Sequence, residues 1–143
     1  MSNQKKLLIV EDDADVRLGY QVLLRANNYA TFFAVDSVSA ISEAIKHQPD
    51  LIILDLGLPA GDGFLVLERF HAKENLASIP VVVVSGRDRY GNKDRAHFAG
   101  ARAFVQKPWN DNELLAIISD LLSQPREPIS QPASSPILVP VGA

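Results

Sequence analysis

Hydrophobic and polar residues follow one another along the chain in blocks of two different periods. Five short runs are mostly aliphatic and β-branched, which is typical of parallel strands that are covered on both faces. These runs are Leu7–Val10, Tyr29–Val35, Leu51–Leu54, Pro80–Val84 and Ala103–Val105. The segments between them are long enough for helices. This repeat of strand and helix predicts an α/β domain with a parallel sheet and right-handed crossovers.

The segments between the strands carry apolar residues at helical spacing. In the last segment they fall at i, i+3, i+4 and i+7; in the first three they mark one face of each predicted helix. The marking residues are Val16, Tyr20 and Leu23, then Ile41, Ala44 and Ile45, then Phe64, Leu67 and Phe70, and finally Leu114, Ile117, Ile118 and Leu121. We therefore expect a doubly wound, five-stranded, flavodoxin-like (βα)5 sheet with strand order 2-1-3-4-5.

Two helix ends also carry sequence signals. Asn110, with Glu113 three residues later, predicts the N-cap of the last helix. The fourth helix, Asn92 to Ala99, has a thin apolar face, and Gly100 indicates where it ends. We expect this helix to be among the least stably held elements of the domain.

The C-terminal part of the chain has a different composition. From Gln124 to Ala143 it carries five of the nine prolines, with serines between them. This composition is typical of an extended or disordered segment. We expect a globular domain over residues 1–123 and a disordered Pro/Ser-rich tail or linker over 124–143.

Overall composition excludes several classes of function. The chain has a net charge of -3 and a pI of about 5.5, so it has no basic field for direct nucleic-acid binding. It has no cysteine, which excludes disulfides, thiol catalysis and thiolate metal sites. No apolar run approaches the roughly 18 residues that a membrane span needs. We expect a cytoplasmic protein with no membrane association.

Charged and hydroxyl side chains follow the predicted strands at the end where ligands bind in an open parallel sheet. They are Glu11, Asp12 and Asp13 after strand one, Asp55 after strand three, Ser85 after strand four and Lys107 after strand five. Clustered carboxylates raise one another's pKa unless a cation lies among them, and oxygen ligands with room for water suit Mg²⁺. A metal ion, a lysine and a hydroxyl around one carboxylate predict a site for a dianion such as a phosphoryl group.

Each of these residues also has a purely structural explanation. The acids after strand one could cap the first helix, since acids favour the positive N-terminal end of a helix. Ser85 before Gly86 is a common turn pair, and Lys107 before Pro108 is typical of an exposed turn. Their joint occurrence at the ends of four predicted strands favours a functional site.

Over Lys5 to Leu122 the chain resembles the receiver domains of bacterial two-component response regulators, of the chemotaxis-regulator type. Four stretches carry the resemblance: "LLIVEDDADVR", "LIILDLGLPAGDGF", "IPVVVVSG" and "FVQKPW". They resemble, in order, the acidic-pair, phospho-acceptor, hydroxyl and lysine–proline stretches of the family. The resemblance implies a phospho-accepting signalling switch rather than an enzyme.

The resemblance also implies a role for each matching residue. It makes Asp55 the phosphorylation site, with Mg²⁺ held by Asp12, Asp55 and the backbone carbonyl of Gly57, and by Glu11 through a water molecule. Asp13 matches a variable position next to the acidic pair. The phosphoryl donor would be a sensor histidine kinase or a histidine phosphotransfer protein.

The remaining matches concern the response to phosphorylation. The resemblance implies that Ser85 binds a phosphoryl oxygen, that Lys107 pairs with the phosphoryl group, and that the Lys107–Pro108 peptide is cis. Phe104 stands where the family often has a tyrosine that moves with the hydroxyl residue, and it lacks the tyrosine hydroxyl. The signal would pass through the α4-β5-α5 surface to an output partner or downstream effector domain that the sequence does not identify.

Three alternatives remain open at this stage. A non-phosphorylated pseudo-receiver would act purely as an interaction module. A phosphohydrolase of the haloacid dehalogenase type would want a second acid two residues after Asp55, where Gly57 stands. A flavodoxin-type flavin protein would need a hydroxyl-rich loop after strand one, where the acids stand.

Overall fold

Five parallel strands form one sheet in the order β2-β1-β3-β4-β5. The computed structural model describes residues 4–58, 63–86 and 92–126. The strands are β1 (Lys6–Val10), β2 (Ala30–Ala34), β3 (Leu51–Asp55), β4 (Val81–Ser85) and β5 (Ala103–Gln106). The predicted fold class and strand order are confirmed. The strand predicted at Tyr29–Val35 is shorter by one residue at each end, whereas β3 includes Asp55 and β4 includes Ser85.

The strand register brings the carboxyl ends of the strands to one edge of the sheet. Val10 pairs with Leu54, the residue before Asp55. Asp55 pairs with Val84, and Ser85 pairs with Gln106. The residues that leave β1, β3, β4 and β5 therefore emerge side by side, on strands about 4.8 Å apart.

In the described residues, five helices connect and cover the strands: α1 (Ala14–Ala26), α2 (Ser37–His47), α3 (Gly63–Ala72), α4 (Asn92–Phe98) and α5 (Asp111–Ser123). Alternate strand residues enter two separate cores. One core contains side chains of α2, α3 and α4, and the other contains side chains of α1 and α5. Because both faces of the sheet are covered, the central strands can be apolar at nearly every position.

The helices begin and end at the signals that the sequence contains. The Asn110 side chain accepts a hydrogen bond from the Glu113 amide at 3.1 Å, which confirms the predicted N-cap of α5. Helix α4 ends at Phe98, one residue earlier than predicted. The Gly100 amide then donates to the His97 carbonyl, and the Ala101 amide to the Ala96 carbonyl. Gly100 has φ of 110°, so a glycine is required at this helix end.

The buried faces of two helices differ in detail from the predicted ones. In α2 the buried residues are Ala40 and Ala44, whereas Ile45 is 45% exposed because it lies at the edge of the buried stripe. In α1 the buried residues are Tyr20 and Leu24, and Leu23 is only partly buried. A shift of one position in a helix turns a side chain by about 100°, so the apolar period fixes the helix better than its exact face.

In the described part of the chain, none of the helices has the length and apolarity needed to cross a membrane. The predicted tail lies mostly beyond Arg126, outside the described residues, so its disorder and the division of the chain at residue 123 stay predictions.

Candidate functional site

Three carboxylates meet at the carboxyl edge of the sheet. Glu11, Asp12 and Asp55 each place one oxygen within 4.8 Å of the others. Glu11 is 1% exposed and Asp55 is 7% exposed, whereas Asp12 is open to solvent. The register of β1 with β3 creates this cluster, because it aligns the residue before Glu11 with the residue before Asp55.

Lys107 places a positive charge against this cluster. Its Nζ atom lies 2.9 Å from Glu11 Oε1 and 3.4 Å from Asp55 Oδ2. Burial lowers the pKa of Lys107, but the hydrogen bond to Glu11 and the charges of Asp55 and Glu11 outweigh it, so the pKa is raised overall. Burial raises the pKa of Glu11; the hydrogen bond from Lys107 opposes this rise, and the charge of Asp55 adds to it. Among the described residues, one ammonium in direct contact with the cluster compensates three carboxylates only in part.

The orientation of the Asp55 carboxylate is set from both sides. The Gly57 amide donates a hydrogen bond to Asp55 Oδ1 at 2.9 Å, and Lys107 lies at Oδ2. A Cβ atom at position 57 would approach Oδ1 to 3.3 Å, so glycine leaves room for this close contact. Asp55 therefore presents a fixed carboxylate at the surface of the sheet edge.

Ser85 and Phe104 lie on the neighbouring strands. Ser85 is 6% exposed and follows Val84, the partner of Asp55 in the adjacent strand. The Lys107 amide donates to the Ser85 carbonyl at 2.7 Å, which joins the ends of β4 and β5. Phe104 is buried in the core that contains Ala96 of α4, so its ring points inward. The Lys107–Pro108 peptide bond is cis.

Asp13 has a structural role. Its Oδ1 accepts hydrogen bonds from the amides of Asp15 and Val16, so it is the N-cap of α1. Its own amide donates to Glu11 Oε2 at 3.2 Å. Capping thus explains Asp13, whereas Glu11 and Asp12 belong to the carboxylate cluster.

Sequence reasoning missed two features next to the cluster. One is Arg17, whose Nη1 atom donates to the carbonyl oxygens of Glu11 and Asp12, both at 2.9 Å. A signal was available, because a cation in the first turn of a helix opposes the helix dipole and so needs a compensating contact. The other is a stack of Tyr20 on Trp109, with ring centroids 4.4 Å apart and an interplanar angle of 16°.

The carboxylates act electrostatically on Tyr20. Burial raises the pKa of Tyr20 well above its usual value, and the charges of Glu11 and Asp55 add to the rise. Because Tyr20 stacks on Trp109, and the chain has a single tryptophan, the fluorescence of Trp109 is suited to report changes at the cluster.

A divalent cation of the Mg²⁺ type fits this cluster chemically. Within the described part of the chain the ligands are all oxygens and the three carboxylates outnumber the one ammonium that contacts them, and Asp12 leaves one side open to water. Mg²⁺ usually binds through a few carboxylates and retains several waters. Next to such an ion, Asp55 and Lys107 are placed to receive a further anionic group.

The model of the response regulator receiver domain family matches residues 7–119. The chain is 34% identical over 117 residues to the "DNA-binding dual master transcriptional regulator RpaA" of Synechocystis, covering 82% of this chain and 48% of that protein. It is 37% identical over 110 residues to the "KDP operon transcriptional regulatory protein KdpE" of Escherichia coli, covering 77% and 48%. The chain thus spans about half the length of these curated relatives.

The fold is also found in solved structures. The crystal structure of a CheY-like response regulator receiver domain protein from Methanospirillum hungatei has a TM-score of 0.78 with this chain and 26% sequence identity. The superposition covers 84% of this chain and 94% of that one.

Proposed function

Because the chain belongs to the response regulator receiver domain family, whose members are signalling domains rather than classical enzymes, we propose that it accepts a phosphoryl group on Asp55. The observation that carries this proposal is the carboxylate of Asp55, held by the Gly57 amide at one oxygen and by Lys107 at the other. The family assignment argues against the phosphohydrolase and the flavodoxin-type flavin protein.

The proposed transfer needs little chemistry from the protein beyond positioning and charge. An oxygen of the Asp55 carboxylate attacks the phosphorus of a phosphohistidine on the partner. The new P–O bond forms as the P–N bond breaks, and the electron pair of that bond returns to the imidazole nitrogen. Lys107 and Ser85 would contact phosphoryl oxygens, because both lie at the same edge of the sheet. Water later hydrolyses the acyl phosphate.

Magnesium is the proposed cofactor. Asp12, Asp55 and the Gly57 carbonyl would hold the ion directly, and Glu11 would act through a bound water. The ion would supply positive charge for the phosphoryl oxygens. The excess negative charge of the carboxylate cluster supports this assignment.

The proposed donor is a sensor histidine kinase or a histidine phosphotransfer protein. The output partner is not assigned, because the transcriptional regulators among the relatives are about twice as long as the matched region. Those relatives are named for the control of transcription, which supports a cytoplasmic location. Movement of Ser85 and Phe104 would pass the signal to α4 and the surface beside it.

The proposal is tested by labelling the protein with acetyl phosphate and Mg²⁺. Intact-mass spectrometry should show a single added phosphoryl group that is stable in acid and labile in base. Asp55→Asn should abolish it. Asp50→Asn is the matched control. Asp50 directly precedes β3, so it lies at the amino end of the strand that has Asp55 at its carboxyl end. Labelling of Asp55→Asn to the level of the control would refute the assignment.

A further inference from the structure

We propose that Arg17 is a positioning residue, which holds the main chain of Glu11 and Asp12 so that the Asp12 carboxylate points at the divalent cation. The inference rests on the proposed function, because it concerns the same metal site. It assigns a role to a side chain that contributes no ligand atom.

The geometry of Arg17 is that of a clamp on two successive carbonyl groups. Its Nη1 atom donates to the Glu11 and Asp12 carbonyl oxygens, both at 2.9 Å. Because a carbonyl lies in the plane of its peptide unit, fixing two successive carbonyls fixes the peptide planes on either side of the Asp12 Cα atom. The direction of the Asp12 Cα–Cβ bond follows from those planes.

The other two carboxylates of the cluster are held directly. Glu11 accepts hydrogen bonds from Lys107 and from the Asp13 amide, and Asp55 accepts one from the Gly57 amide. Within residues 4–58, 63–86 and 92–126 no hydrogen bond reaches the Asp12 carboxylate. Its direction therefore depends on its backbone, which is the part that Arg17 holds.

Positioning and simple electrostatics predict opposite effects of removing Arg17. A guanidinium repels a nearby divalent cation, so its charge alone would weaken metal binding, and its loss would strengthen it. If Arg17 positions Asp12, its loss weakens metal binding. Groups that orient metal ligands typically contribute 10- to 100-fold to metal affinity.

A comparison of two metals separates positioning from general damage. Mg²⁺ demands near-ideal octahedral geometry at short distances, whereas Ca²⁺ accepts irregular and longer coordination. The two ions have the same charge, so a purely electrostatic change shifts both affinities equally. Loss of a positioning group should weaken Mg²⁺ binding more than Ca²⁺ binding.

The experiment titrates the full chain with MgCl₂ and with CaCl₂, following calorimetric heat and Trp109 fluorescence. The variants are Arg17→Met, Arg17→Lys and the control Arg25→Met. Arg25 is on the same helix, about 12 Å along its axis from Arg17. The Arg25 Nε atom donates a hydrogen bond to the Thr31 hydroxyl. Arg25→Met removes the same charge without touching the clamp.

We expect Arg17→Met to bind Mg²⁺ about tenfold more weakly, with a smaller loss for Ca²⁺. Arg17→Lys should show an intermediate ratio of the two affinities, since one ammonium replaces the guanidinium donors, and the control should match the wild type. An unchanged or tighter Mg²⁺ affinity in Arg17→Met would overturn the inference, as would equal losses for both metals. If Arg17→Met does not fold, a wild-type affinity ratio in Arg17→Lys overturns it.

A separate outcome concerns the proposed function itself. Asp12→Ala should lose the Mg²⁺ response of the wild type. If the wild type has no Mg²⁺ response, the metal site and the role of Arg17 both fail. If the wild type binds Mg²⁺ and Arg17→Met binds it equally well, only the role of Arg17 fails.

Discussion

Helix α1, which begins directly after the acids that follow β1, and helix α4, which packs in the same core as Phe104, are held very differently. Helix α1 has 13 residues, an aspartate N-cap that accepts two amide hydrogen bonds, and buried side chains at Tyr20 and Leu24. Helix α4 has seven residues, of which Ala96 is the buried one, and Phe98 is 58% exposed. The acids that follow β1 therefore lead into a well-packed helix, whereas the segment between Ser85 and Phe104 contains a weakly packed one.

This difference fits two separate roles, one of binding the metal and phosphoryl group and one of rearranging in response. The carboxylates that would bind metal and phosphoryl group follow β1 and β3, beside the firmly held α1. Helix α4 lies in the chain between Ser85 and Phe104, the two residues expected to move. A segment that switches needs two arrangements of similar free energy, and weakly packed segments are the ones that rearrange at low cost.

The largest expected effect on stability comes from replacing one aromatic residue of α1, and it is compared with the same replacement in α4. Tyr20 is 1% exposed and stacks on Trp109, so Tyr20→Ala should lower the free energy of unfolding by about 3–5 kcal/mol. Phe98 is mostly exposed, so Phe98→Ala should change it by no more than about 0.5 kcal/mol. Urea unfolding measures both. Similar losses in the two variants would show that α4 is held as firmly as α1.

A smaller effect on stability is expected from replacing a glycine in α1 and a glycine that follows α4. Gly100 has φ of 110°, and a Cβ atom there would lie 2.9 Å from His71 Nδ1, so Gly100→Ala should destabilise the protein by about 1–3 kcal/mol. Gly19 is inside α1 with no atom within 4 Å of its would-be Cβ, so Gly19→Ala should stabilise by about 0.5–1 kcal/mol. Thermal melts should move in opposite directions. Unchanged stability of Gly100→Ala would show that this helix end accepts a side chain without strain.

The smallest effect concerns α2, which follows the edge strand β2 and serves as a reference helix. Hydrogen bonds from the Ser39 hydroxyl and amide lower the pKa of Asp36, the N-cap of α2. Because the folded-state pKa lies below the usual 3.8, this carboxylate stabilises the fold above that pH. The stabilisation is lost as the pH falls through the lowered pKa.

Asp36→Asn keeps a capping oxygen but does not titrate. At pH 6 the free energy of unfolding of Asp36→Asn should therefore be lower than that of the wild type. The difference should shrink as the pH falls to 3, as measured by urea unfolding. A difference that does not change with pH would contradict the hydrogen-bonded ionised cap.

The sequence predicted the sheet well because its strands are continuous aliphatic runs, and it predicted the site because parallel strands bring their carboxyl ends together. Glu11, Asp12 and Asp55 meet for that reason. Contacts that depend on side-chain direction were not predictable in the same way. The Arg17 clamp and the stack of Tyr20 on Trp109 depend on rotamers and on the path of the loop after β5, which periodicity does not encode.

The exposed position of Ile45 has a similar cause. The apolar period places it on the same side of α2 as Ala44, but the packing of α2 beside α3 decides which residues are covered. Val38, Ile41 and Ile45 instead line an open groove between these helices of about 590 Å³. Local pattern therefore identifies the helix, whereas tertiary packing selects its buried face.

The central claim is that phosphorylation acts on the weakly packed segment between Ser85 and Phe104. Amide hydrogen exchange with and without a beryllofluoride mimic of the phosphoryl group tests it most directly. We predict that exchange changes mainly between residues 86 and 104, which include α4, and changes little in α2. Equal changes in α4 and α2, or no change in α4, would contradict the account.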